Sequence, residues 1–108
     1  MAFQPLISVA TVVERDNAFL FVEETVKSRL VINQPAGRLE ADESLADAAV
    51  REALEETGWQ IRPLGVVGIY RYSSAREGQT YVRVCFYGCA LQHDPQRPLD
   101  KGIERVVW

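Results

Sequence analysis

Residues 37–59 read GRLEADESLADAAVREALEETGW, and this run decides how the rest of the chain is to be understood. Over 44–57 the residues Ala46, Ala49, Val50, Ala53, Leu54 and Thr57 recur at helical spacing, which predicts one helix with a weakly apolar stripe. Ser44 followed by Asp47 is an N-cap signal, with Asp42 as a rival cap, and Gly58 suits the left-handed residue that ends a helix. Residues three and four apart share a helix face, so Glu52, Glu55 and Glu56 project together. Like charges at this spacing cost a helix about 0.2–0.5 kcal/mol per pair. Taken alone, EALEE is ordinary on a solvated helix face, where Arg51 can pair with Glu55 four residues on. A divalent cation gives the cluster a use. A hard ion such as Mg2+ is held by a few carboxylate oxygens together with waters and phosphates, and a helix sets those oxygens in place beforehand.

Outward from the helix, the sequence alternates like strands. Residues 6–13, LISVATVV, and 18–24, AFLFVEE, flank the polar turn ERDN and predict a hairpin. A short strand at 29–34, RLVINQ, ends at Pro35. Strands are predicted again at 64–73 and 80–91, joined by the turn SAREGQ, and a closing strand in IERVVW. Within 80–91, Val82, Val84, Phe86 and Ala90 fall on one face and Tyr81, Arg83, Cys85, Tyr87 and Cys89 on the other. Mixed strands around one helix predict an α/β or α+β sandwich in a single domain spanning residues 1–108.

Charge and composition exclude several classes. The formal net charge is −3 and the 12 Lys and Arg are scattered, which argues against a long nucleic acid partner. The opening MAFQPLISVATVV has no basic leader and is too short an apolar run to span a bilayer, so a cytoplasmic protein is expected. Cys85 and Cys89, four apart on a strand, would stand ~13 Å from each other, beyond disulfide reach. Free thiols are preferred over a zinc site completed by His93.

The helix does not stand alone. Gly37, Glu43, Arg51-Glu52, Glu55-Glu56, Gly58 and the bulky apolar Trp59 fit G-x5-E-x7-R-E-U-x-E-E-x-G-U, where U is bulky and apolar and Ala53 is a small occupant of its position. This pattern resembles the Nudix box, the signature of the Nudix hydrolases. The resemblance implies an α/β/α sandwich around a mixed sheet, a loop–helix–loop motif, and hydrolysis of a diphosphate linkage with Mg2+ or Mn2+. It implies Glu52 and Glu56 as main metal ligands, with Glu55 a further ligand or an aid to activating water. The Gly37 carbonyl would join the metal shell, Glu43 and Arg51 would form a structural brace, and Arg38 would touch substrate phosphate. INQPAGRLEADE, VEE and LDKGIERVVW are similar to the NudJ-like branch of the family. That likeness implies nucleoside di- and triphosphates, hydroxymethylpyrimidine diphosphate or thiamine diphosphate as substrates, and leaves room for a homodimer. Ile32 stands where that branch has tryptophan and Arg38 where it has histidine, and the branch's C-terminal helix has no counterpart before Trp108.

For the organic half of such a substrate, Tyr72, Arg83 and Tyr87, with Tyr70 and Tyr81 nearby, offer stacking surfaces and a cation. Cross-strand aromatic pairing on an outward sheet face explains them equally well. Asp100 and Glu104 are read as solvated acids, with an added base or ligand as the alternative, and His93 as exposed and without a partner. Other readings of the whole are an RNA 5'-end pyrophosphohydrolase and a non-catalytic nucleotide-binding module. The intact glutamates oppose the last.

Overall fold

The computed structural model describes residues 2–75 and 77–108. In chain order its elements are β1 (Leu6–Arg15), β2 (Ala18–Phe19), β3 (Phe21–Val26), β4 (Arg29–Asn33), β5 (Ala36–Arg38), α1 (Leu45–Thr57), β6 (Trp59–Ser74), β7 (Gln79–His93) and β8 (Ile103–Val107). The larger sheet runs β2-β1-β7-β6, with β5 added antiparallel to β1, and the smaller runs β4-β3-β8. Only the β1–β7 pairing is parallel, from Leu6↔Tyr81 to Val13↔Gly88, so the large sheet is mixed. The expected α+β architecture is present, and α1 is the one helix among the described residues. None there is long and apolar enough to cross a membrane.

Strand β1 is the centre. Its Ser8, Val9, Ala10 and Thr11 are all buried, as in a strand covered on both faces. On one face lies α1, whose Ala48, Ala49 and Ala53 pack against Val9, Val13, Val84, Phe86 and Ile61. Alanine lets the helix backbone approach the sheet closely, and a larger side chain there would overpack the contact at a cost of about 1–3 kcal/mol. The helix starts where predicted: Ser44 Oγ accepts from Asp47 N at 3.0 Å. It ends at Gly58, left-handed at φ 75°, whose N–H reaches the Leu54 carbonyl.

The hairpin expected over 6–24 holds only at its turn. Asp16 and Asn17 sit at φ 53° and 64°, and two residue pairs follow, Glu14↔Phe19 and Arg15↔Ala18. Buried Leu20 still donates its N–H to the Val13 carbonyl at 2.9 Å, and only beyond it does β3 depart to join β4 and β8. Both edges of β1 are already taken, one by β7 and the other by β5. Strand β6 begins at Trp59 rather than at 64 and carries three register shifts, one of them around Pro63 and Leu64. Pro63, which has no N–H to donate, is tolerated because β6 is the outer strand of its sheet. Cys85 also departs from simple alternation. It is buried like Val84 and Phe86 because the segment at Gln34 covers the opposite face, with Sγ 3.8 Å from Gln34 Oε1. Both thiols are free.

Candidate active site

The short strand β5 places Gly37 directly over α1. Glu52 lies so close beneath it that a Cβ on Gly37 would collide with the Glu52 carboxylate, so only glycine lets this acid reach the backbone. One turn further on, Glu56 Oε1 accepts the Ala36 N–H at 2.9 Å. The loop between β5 and α1 is fixed to the helix by one arginine. Arg51 Nε and Nη2 donate to Glu43 at 3.0 and 2.8 Å, and Nη2 also donates to the Arg38 carbonyl at 2.9 Å. Glu43 Oε1 in turn accepts the Glu40 N–H at 2.7 Å. The expected pairing of Glu43 with Arg51 is therefore present, and it joins both ends of the loop. The same guanidinium turns Nη1 toward Glu52 Oε1 at 2.6 Å and Glu55 Oε1 at 2.9 Å.

These contacts set the proton affinities. Arg51 holds the Glu43 carboxyl below the usual carboxylate range, and Glu43 leads the carboxylates that raise the Arg51 guanidinium. Burial pushes the Glu56 carboxyl up to about 8 against the opposing Ala36 hydrogen bond, and the charges of Glu52, Glu24 and Asp100 push it further. Glu52 is also raised, by burial outweighing its bond to Arg51. Carboxyls so disfavoured as anions are suited to a cation that would replace their lost hydration.

Asp100 belongs to the same group. Its backbone N–H donates to the Glu55 carbonyl at 3.0 Å, and carboxylate oxygens of Glu52, Glu55 and Asp100 all lie within 4.8 Å of one another. Burial, and then the Glu55 charge, raises its carboxyl. Its expected role as a solvated acid is thus only half right, since it is exposed yet faces the cluster. Nothing local in the sequence signals this. The loop after β7 returns to α1 through a tertiary contact, and Glu104 goes elsewhere, accepting from Thr25 Oγ1 at 2.9 Å.

Next to the cluster is a cavity of about 180 Å3. Gly37, Arg38 and Glu56 line it from the motif, and Tyr72, Tyr81 and Arg83 from the β6–β7 pair. Tyr72 and Tyr81 stack with ring centroids 5.0 Å apart at 11°. Arg83 Nε is buried and has no hydrogen-bond partner among the described residues. Tyr87 is not brought to this cavity. It shares the sheet face with Arg83, but its ring lies against Gly65. Glu24 and Asn33 do line the cavity, although the sequence gives no hint of it. A separate hollow of about 350 Å3 lies near Gly58 and His93, at the far end of α1. His93 is not without a partner, since it stacks on Trp59 at 4.8 Å.

A NUDIX domain family model matches residues 4–108. The chain belongs to the Nudix hydrolase family. This Nudix hydrolase is 39% identical over 106 residues to the phosphatase NudJ of Escherichia coli strain K12, covering 98% of this chain and 69% of that one. Among solved structures it is similar to a NUDIX hydrolase from Nitrosomonas europaea, with a TM-score of 0.93 and 44% identity, covering 97% of this chain and 72% of the other. A MutT NUDIX hydrolase from Burkholderia pseudomallei shares the fold at a TM-score of 0.84 and 20% identity, covering 97% and 82%. As a Nudix enzyme the chain falls in a family of pyrophosphohydrolases and phosphatases that generally use divalent metals, and its acidic group is of a kind that suits such an ion.

Proposed function

We propose that this Nudix hydrolase is a cytoplasmic, Mg2+-dependent pyrophosphohydrolase of small diphosphates, with nucleoside di- and triphosphates, hydroxymethylpyrimidine diphosphate and thiamine diphosphate as preferred classes. The observation that carries the reading is the convergence of Glu52, Glu55 and Asp100 oxygens within 4.8 Å, beside a cavity that Glu56, Arg38 and Arg83 line together. Glu52, Glu55 and Glu56, with the Gly37 carbonyl, would hold Mg2+, with Mn2+ as an alternative. The glycine cradle over Glu52 and the raised carboxyls of Glu52 and Glu56 fit such an ion. When bound, the ion offsets phosphate charge and makes water more acidic.

The remaining work falls to the chain's own groups. Arg38 and Arg83 counter the charge of the diphosphate and orient it. Glu55, with 30% of its side chain exposed against 12% for Glu52, is assigned to orient the attacking water. Arg51 and Glu43 act as a brace that keeps the loop at Gly37 against α1. Water attacks phosphorus, the bridging P–O bond breaks, and the leaving phosphate carries away the bridging oxygen. The test is Mg2+-dependent phosphate release from a panel of these small diphosphates, ADP-ribose and 5'-triphosphate RNA, with Glu56→Gln as control. Turnover of the small diphosphates that depends on Glu56 supports the reading, and turnover of the RNA alone replaces it with the RNA 5'-end activity.

A further inference from the structure

The cavity holds a carboxylate that hydrolysis does not call for. Glu24, on β3, lines it together with Glu56, Arg38 and Arg83. It is half-buried, and its charge is felt at Glu56. Beside a polyanionic substrate, a fixed carboxylate outside the metal cluster is unfavourable, because like charges in a partly desolvated site repel more strongly than in water. It becomes favourable if the substrate offers it a hydrogen-bond donor or a positive charge.

Its surroundings point to a donor. Asn33 Nδ2 donates to Glu24 Oε1 at 2.8 Å from the neighbouring strand β4, which fixes the carboxylate and leaves Oε2 unengaged among the described residues. Tyr72 and Tyr81 also line the cavity and form a stacked aromatic wall, and the Tyr81 hydroxyl is tied to Glu77 Oε2 at 3.1 Å. A hollow of about 360 Å3 shares Gln34, Tyr72 and Arg83 with this cavity, so there is room for a ring beyond the phosphates. An aromatic wall with a pinned acceptor is complementary to a flat heterocycle bearing an amino group.

We propose that Glu24, held by Asn33, is a specificity-determining residue that selects diphosphates whose organic half is a flat, amino-bearing heterocycle over those whose ring presents only acceptors. The proposal rests on the hydrolase reading above and sharpens its substrate class. A hydrogen bond to a charged acceptor in a partly desolvated site corresponds to about ten- to a hundredfold in discrimination.

The experiment compares CTP with 2-pyrimidinone riboside 5'-triphosphate, which differ by the 4-amino group alone. Their kcat/KM ratio is measured in the wild type, Glu24→Gln and Glu24→Met. Equilibrium binding of the α,β-methylene analogues of the same two nucleotides is read in parallel with Mg2+. A wild-type preference for CTP of about tenfold or more is expected. Glu24→Gln should reduce it and Glu24→Met should bring it close to unity. Equal wild-type kcat/KM and affinity for the two nucleotides, or a preference that survives in Glu24→Met, overturns the proposal while hydrolysis stands. If neither nucleotide is cleaved, the hydrolase reading fails for this class and the two affinities still decide the role of Glu24. Equal affinities, or no binding of either analogue, overturn that role as well.

Discussion

The two walls of the cavity are made in opposite ways. On the acidic side nearly everything comes from one contiguous run, in which Gly37, Glu43, Arg51, Glu52 and Glu56 are tied to one another or to the adjacent backbone. On the other side Glu24, Asn33, Tyr72, Tyr81 and Arg83 come from four strands in two sheets. The acidic wall is thus mostly local in the chain, whereas the opposite wall depends on how distant strands meet; on the function proposed above, the first would carry the chemistry and the second the choice of substrate. A single substitution on the acidic wall should therefore disturb turnover, and one on the opposite wall should alter affinity.

The sharpest break comes from Glu56→Gln, expected to lower kcat for phosphate release by about 10^2–10^3. A change confined to KM would contradict the division between the walls. Next is Gly37→Ala. Its new methyl must displace the Glu52 carboxylate, so Mg2+ affinity should fall by about 10- to 100-fold, read by calorimetry, with activity falling alongside. Arg51→Ala should destabilise the protein by about 1.5–3 kcal/mol in urea unfolding, because Glu43, Glu52, Glu55 and the Arg38 carbonyl lose their donor together. A loss within about 0.5 kcal/mol would reduce the brace to a surface ion pair.

A fourth expectation concerns pH. The Glu56 carboxyl, at about 8 in the fold against an ordinary 4.5, binds its proton more tightly folded than unfolded. The metal-free protein should therefore lose stability as pH rises from about 4.5 to about 8, and Mg2+ should restore it at the upper end, since proton and ion compete for the same oxygens. Melting temperatures across that range, with and without Mg2+, check the sign. The smallest effect is expected from Tyr72→Ala. Loss of one face of the stacked pair should raise KM by about two- to tenfold with kcat little changed.

The same contrast explains what could be read from the chain. The motif run, the Ser44 cap and the Gly58 stop depend on neighbours a few residues away, so pattern and periodicity suffice for them. Identity of a residue with its role fails where contact is long-range. The hairpin signal at 6–24 is satisfied at Asp16-Asn17 and then overruled, because β1 has only two edges and both are filled from elsewhere. Asp100 looks like any loop acid until its backbone closes on Glu55. Glu24 and Asn33 look like ordinary cross-strand polar residues until the cavity is seen behind them. Tyr87 errs in the other direction: alternation gives its face correctly but says nothing of how far along the strand the cavity extends.

Strand β6 has a further consequence. It is an outer strand 16 residues long, with Leu64, Val66, Val67 and Ile69 exposed, a composition that invites another chain to add to the sheet and begin an aggregate. The three breaks in its register and the missing N–H at Pro63 interrupt the regular row of donors and acceptors such growth requires. An irregular strand of this kind is a poorer template for edge-to-edge growth, and a version straightened for stability would be a better one.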